Sequence, residues 1–183
     1  MTIRRPVLIG AAAAAIFLAT AGTALATPAP AGPVATRAVA STPTAPGSLP
    51  TALPLTDVGT ATATDAFGPS DLSANSVITC TVNVQNPHNS SHVHGTVNTI
   101  STIACTGAMS ELAQYVGLYY NNVLVGEKSY SNSGVASLTG NFATPCKSGT
   151  YVGASSWLEV APPGYYPPYD SGVAYSNVVT ITC

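Results

Sequence analysis

Strict alternation of apolar and polar residues constrains this chain most. In "SVITCTVNVQ", Ile78, Cys80, Val82 and Val84 alternate with Thr79, Thr81 and Asn83. Only a strand places every second side chain on one face, so this pattern predicts a half-buried β-strand. The segments that follow repeat the signal. "VHGTVNTISTIACT" is rich in β-branched residues, with Val97, Thr99, Ile103 and Cys105 on one parity. "LAQYVGLYY" meets Asn121-Asn122, an acceptable two-residue hairpin turn, and "VLVGEKSY" returns from it. "SNSG" at 131–134 reads as another turn before "VASLTGNFA", and "TYVGASSWLEV" and "SNVVTITC" close the domain. A helix is the alternative only in "AMSELAQYV", where Met109, Leu112 and Val116 fit a helical stripe. The Tyr- and Val-rich continuation favours strand. The expectation is an all-β domain, an immunoglobulin-like β-sandwich of about seven antiparallel strands.

The N-terminus is set apart from that domain. Arg4 and Arg5 form a basic start, "VLIGAAAAAIFLATAG" an apolar core, and "ALA" at 24–26 a small-residue cleavage site. Residues 1–26 therefore read as a signal peptide. The alternative is an uncleaved anchor, but the stretch is mostly Ala and Gly and ends in a cleavage site. "TIRRPVL" lacks the rest of a twin-arginine motif, and no Cys precedes Cys80 to carry a lipid. "LPLTD" at 53–57 lies far from the C-terminus and reads as a chance likeness to a sorting signal. From 27 to 75 the chain is Ala, Thr, Pro, Ser and Gly with Phe67 its single aromatic. That composition predicts a disordered spacer, because too little apolar surface is available to offset the entropy of ordering it. Residues 76–183 are long enough for one core, and all four Cys, all nine Tyr and the single Trp belong to them.

Four cysteines in an exported chain predict two disulfides, for which three pairings exist. Strand geometry favours Cys80 with Cys105, at the same end of a first hairpin. It also favours Cys146 with Cys183, where the last strands return. The formal net charge is −2, with only Lys128 and Lys147 as cations in the domain. No basic stripe exists to neutralise phosphates, so nucleic acid is not an expected partner. The mature chain is expected to have no membrane span.

Two stretches are candidate sites. "NPHNSSHVHG" carries His88, His92 and His94. Alternation puts His92 and His94 on the same strand face, and His88 folding over from the loop would complete a three-nitrogen set that suits zinc or copper. Against this, the core parity on that strand is odd, no carboxylate lies between Asp71 and Glu111, and the neighbours are turn residues. A polar turn is the expectation, with metal binding as the alternative. Asn89-Ser90-Ser91 is also a glycosylation sequon, expected to be silent. The second stretch is "APPGYYPPYDSG", where prolines stiffen a loop carrying Tyr165, Tyr166 and Tyr169. Such tyrosines suit recognition of cell-wall glycan or an extracellular peptide, or else fold back to cover the core.

The segment "CTVNVQNPHNSSHVHGTVN" resembles small secreted proteins of actinobacteria that share a "PHxSxHVxGT" stretch, with the likeness extending over residues 76–183. The resemblance implies compartment and a two-disulfide β fold, and no activity. No nucleophile elbow, phosphate-cradling Gly loop or paired-carboxylate motif is legible, so no enzyme is expected and no cofactor. Function is expected to be binding or structural interaction in the extracellular space or at the cell envelope.

Overall fold

The computed structural model describes residues 45–54, 58–59, 61–70 and 76–183. The expected signal peptide lies outside the described residues, as do the spacer as far as residue 44 and its residues 55–57, 60 and 71–75. The strands in chain order are β1 (Thr62–Pro69), β2 (Ile78–Val84), β3 (His88–Asn89), β4 (Thr96–Tyr120), β5 (Val123–Pro145), β6 (Gly149–Val160), β7 (Tyr165–Tyr166), β8 (Tyr169–Tyr175) and β9 (Val179–Ile181). All pairings are antiparallel and join one nine-stranded sheet with the path β7-β1-β2-β4-β6-β8. Off that path, β3 and β5 lie on β4, and β9 lies on β6.

The all-β expectation holds. The seven strands in two sheets do not: the pairing gives nine strands in a single sheet. The reason is the length of β4. "TVNTISTIACT" and "LAQYVGLYY" read as separate strands, yet 25 residues run through as one. The register against β5 shifts between Ala104 and Met109, an irregularity of the kind that bends a strand without ending it. "SNSG" likewise lies inside β5, where Gly134 takes φ 68°, rather than between two strands. The hairpin turn at Asn121-Asn122 is where alternation and turn chemistry place it, with φ 46° and 68°.

The first half of β4 pairs β2, and the second half pairs β6. The sheet thereby has two leaves, β1-β2 with the start of β4, and β8-β6 with its end. Their inner faces share one core although β2 and β6 are not paired. Phe67, Ile78, Cys80, Val82, Val84 and Ile103 meet Met109, Leu112, Trp157 and Ala174 there. Gln114 pins the leaves through their interior: its Nε2 donates to Ser101 O and Leu138 O, each at 3.4 Å, and Ser155 Oγ donates to its Oε1 at 3.1 Å.

The folded unit also begins earlier than residue 76. Segments expected in the spacer belong to it: β1 pairs β2 over six residue pairs, and Leu49 and Leu53 are buried. In β1 the inward parity is Ala63, Asp65 and Phe67. A single fully buried aromatic in a Thr/Ala/Asp setting carries too weak an alternation to announce a strand.

Candidate functional site

The disulfides join Cys80 to Cys105 and Cys146 to Cys183, and no free cysteine remains. Cys80 stands directly opposite Cys105 in the β2–β4 register. Cys183 follows β9, which pairs the start of β6 beside Cys146. The closing strand expected over residues 176–183 is the three-residue β9, and an unexpected strand, β8, precedes it, beginning inside the stretch read as the tyrosine loop; both pair β6.

The histidine stretch is a turn. His88 lies in β3 opposite Asn98, and its Nδ1–H donates to Asn86 O at 3.1 Å. β4 begins only at Thr96, so His92 and His94 sit in the turn before it and not on a strand face. That turn is closed locally: Val93 N donates to Ser90 Oγ, Ser90 N to Thr96 O, and Thr96 Oγ1 to Val93 O, with Gly95 at φ 74°. All three imidazoles are exposed and do not converge.

The tyrosine stretch divides. Tyr165, in β7, pairs Pro69, packs against the main core and shares a hydrogen bond of 3.0 Å with Ser76 Oγ. Tyr169 opens β8 opposite Val160 and is half-buried. Tyr166, followed by a cis peptide bond to Pro167, is 72 % exposed. Of the three, Tyr166 projects, while Tyr165 and Tyr169 are half-buried.

Two features were not legible beforehand. The first is an interior row of acids. The β1–β2–β4 registers align Asp65, Cys80 and Cys105, and the β4–β6–β8 registers align Leu112, Glu159 and Asp170. The leaves bring these rows face to face. A Glu159 oxygen and both sulfurs lie within 4.8 Å of one another, the only such set of His, Cys, Asp or Glu among the described residues. Both sulfurs are consumed by the disulfide, so this is no metal centre. Glu159 is fully buried with neither oxygen hydrogen-bonded, and Asp65 Oδ2 is likewise unpartnered. Burial, then the charges of Asp65 and Asp170, push the Glu159 carboxyl up to about 8. Asp65 is raised by burial and by Asp170; the indole N–H of Trp157 pulls the other way but falls short of hydrogen-bond geometry. Sealed from solvent, Glu159 reaches no external substrate. Its parity with Trp157 is readable in "WLEV", but the acids it faces come from the opposite leaf and from β8.

The second feature is an occupied groove on the outer face of the β4–β6–β8 leaf. Tyr119 stands opposite Val152, and Ala154 opposite Tyr175, which makes one apolar patch. Leu49 and Leu53 fill it, at 4 % and 6 % exposure. Gly117 forms the floor, since a Cβ there would stand 2.7 Å from Leu49 Cδ1 and 2.8 Å from Gly126 O. Polar contacts fix the register of the incoming segment. Tyr119 OH donates to Pro50 O at 2.6 Å, and Leu49 N to Glu127 Oε2 at 2.8 Å. Leu53 N donates to Asn122 O and Leu124 N to Thr51 O, around a single antiparallel bridge between Ala52 and Val123. Burial above all holds the Tyr119 hydroxyl well above its ordinary pKa, so it stays a donor. The repeated Leu-Pro of "LPTALP" is the signal in the sequence that goes with these contacts.

No family model, curated protein or solved structure matches the chain. Among the described residues no helix is long and apolar enough to cross a membrane.

Proposed function

We propose that this is an exported, non-catalytic interaction protein of the extracellular space or cell envelope, its bent sheet displaying loops as an immunoglobulin-like sandwich does. Tyr166 is the observation that carries the binding half of this reading. It is a rigid aromatic, 72 % exposed, on a loop bounded by Pro162, Pro163, Pro167 and Pro168 in a charge-poor domain. A phenol ring held out by prolines loses little entropy on stacking against a sugar face or a peptide. Two disulfides suit an oxidising compartment, and an interior carboxyl sealed away from solvent suits a scaffold better than a reaction centre.

Retention on isolated cell walls tests the reading. Binding should persist at high salt, because few charges are present to be screened. Tyr166→Ala should lower affinity about fivefold, the equivalent of one stacking contact of about 1 kcal/mol, and leave the melting temperature unchanged. Absence of retention, or retention indifferent to Tyr166, would overturn the proposal.

A further inference from the structure

The sealed carboxyl of Glu159 stands beside a bond that can break. One of its oxygens lies within 4.8 Å of both sulfurs of the Cys80–Cys105 bridge, a gap that one side-chain rotation closes. Neither of its oxygens has a hydrogen-bond partner, so its proton is not committed elsewhere. The two sulfurs differ in their surroundings. Cys80 is fully buried, whereas Cys105 is only partly so. Cys105 also stands at the interruption of the β4–β5 ladder, where no register pair occurs between Ala104 and Met109. An incoming thiolate attacks the sulfur it can reach, and the other sulfur must leave. Reach points to Cys105, which makes Cys80 the leaving group. A Cys80 thiolate set free in the closed core is costly, and a leaving thiol of high pKa departs slowly unless it is protonated as it goes.

We propose that Cys80–Cys105 is an exchangeable bridge that takes up a low-molecular-weight thiol at Cys105, with Glu159 handing its proton to Cys80 as the bond opens. The external thiolate attacks Cys105 Sγ and forms a new S–S bond to it. The Cys80–Cys105 bond breaks, its electron pair goes to Cys80 Sγ, and the Glu159 proton follows. The products are a mixed disulfide at Cys105, a Cys80 thiol and a Glu159 carboxylate. Closure runs the same path backwards: Glu159 takes the proton, Cys80 attacks Cys105 Sγ, and the small thiolate leaves. The backbone pairing of β2 with β4 continues from Thr81 to Val84, so the strand order does not hang on the bond. Burial, then the charges of Asp65 on β1 and Asp170 on β8, hold the Glu159 carboxyl up at about 8, so the proton is in place at neutral pH. The exchange is stoichiometric and requires neither Tyr166 nor a cell-wall ligand.

The test exposes the oxidised full-length protein to millimolar glutathione, quenches it in acid and maps the adduct by mass spectrometry. The adduct should be on Cys105, with Cys80 recovered as a free thiol. Opening by dithiothreitol, expressed per thiolate, should be level near pH 6 to 7 and fall above about pH 8 as Glu159 loses its proton. Exchange through general loosening of the leaves has the opposite sign, because an ionised Glu159 destabilises the fold and speeds opening. Glu159→Gln should slow opening of Cys80–Cys105 at least about tenfold, positioned proton donors contributing about 10²–10⁴. That slowing should exceed any slowing of β2 amide exchange in the same buffer, and reduction of Cys146–Cys183 should not change. An adduct on Cys80, no adduct on Cys105, or a per-thiolate rate that climbs throughout would overturn the proposal, as would a variant rate that merely tracks β2 amide exchange. If Glu159→Gln does not fold, the adduct position and the wild-type pH profile decide the matter alone.

Discussion

Glu159 shows how a residue in plain alternation acquires an unusual property from partners the sequence does not name. Its strand parity with Trp157 is legible, and a buried acid on that face is a readable anomaly. Asp170 joins it through the β6–β8 register, and Asp65 reaches it only because the sheet folds one leaf over the other. The consequence is a pH dependence with a definite sign. In the unfolded chain Glu159 titrates near its ordinary 4.5, and in the fold it titrates near 8. The folded state therefore binds the extra proton, and its stability is full below about pH 4.5 and falls as pH rises towards 8. Asp65 shifts in the same direction. The loss by pH 7 is on the order of 3 kcal/mol, from the displacement of a fully buried group. Glu159→Gln keeps the shape of the protonated acid and removes its titration. Urea midpoints should show the wild type less stable at pH 8 than at pH 5, with the variant nearly level and the more stable of the two at pH 8. A wild-type midpoint that does not move over that range would show that Glu159 stays ionised in the fold.

Elements were legible in proportion to how much apolar surface each carries on one face. β2 shows four buried residues in seven and is unmistakable. β1 shows one, with an acid beside it, and it reads as spacer because its stability comes from its place between β2 and β7 rather than from its own composition. The tyrosine stretch divides between half-buried and exposed rings for a similar reason. β7 pairing with β1 turns Tyr165 inward, and neither partner of that pairing is recognisable alone. The disulfides were readable because hairpin returns bring strand ends together whatever the leaf arrangement. They do different work. Cys80–Cys105 links neighbours already paired in the sheet, whereas Cys146–Cys183 holds the chain end after the three-residue strand β9. With its cysteines 37 positions apart, the second bridge contributes about 4 kcal/mol on the chain-entropy model. Cys146→Ser with Cys183→Ser should lower stability by about that amount. Hydrogen exchange should speed first at Val179–Ile181 while β2 and β6 stay protected. Unchanged protection of β9 would mean that its pairing with β6 suffices without the bridge.

At the scale of the whole molecule, one sheet does what two were expected to do. Sequence periodicity reports which face of a strand is buried, and it reports that well here. It does not report whether two adjacent runs are separate strands or one strand that bends: the inward residues are odd-numbered up to Ile103 and even-numbered from Leu112, and a turn or an irregularity between Ala104 and Met109 would change the phase alike. The distinction has a thermodynamic consequence. Two independent sheets joined by loops can loosen in turn, but β4 and β5 pass through both leaves and the principal core draws on both. Neither leaf keeps its inner face covered if the other departs, and Gln114 in one leaf would lose its acceptors Ser101 O and Leu138 O in the other. Unfolding with disulfides intact should therefore be a single two-state transition. Trp157 lies in the shared core, 5 % exposed, so its fluorescence follows the separation of the leaves, while far-ultraviolet circular dichroism follows strand pairing in both. The two signals should give the same midpoint and slope in urea. A tryptophan transition that precedes the loss of strand signal would mean that the leaves part before either one melts, and that the hairpin through β4 and β5 is a hinge rather than a strut.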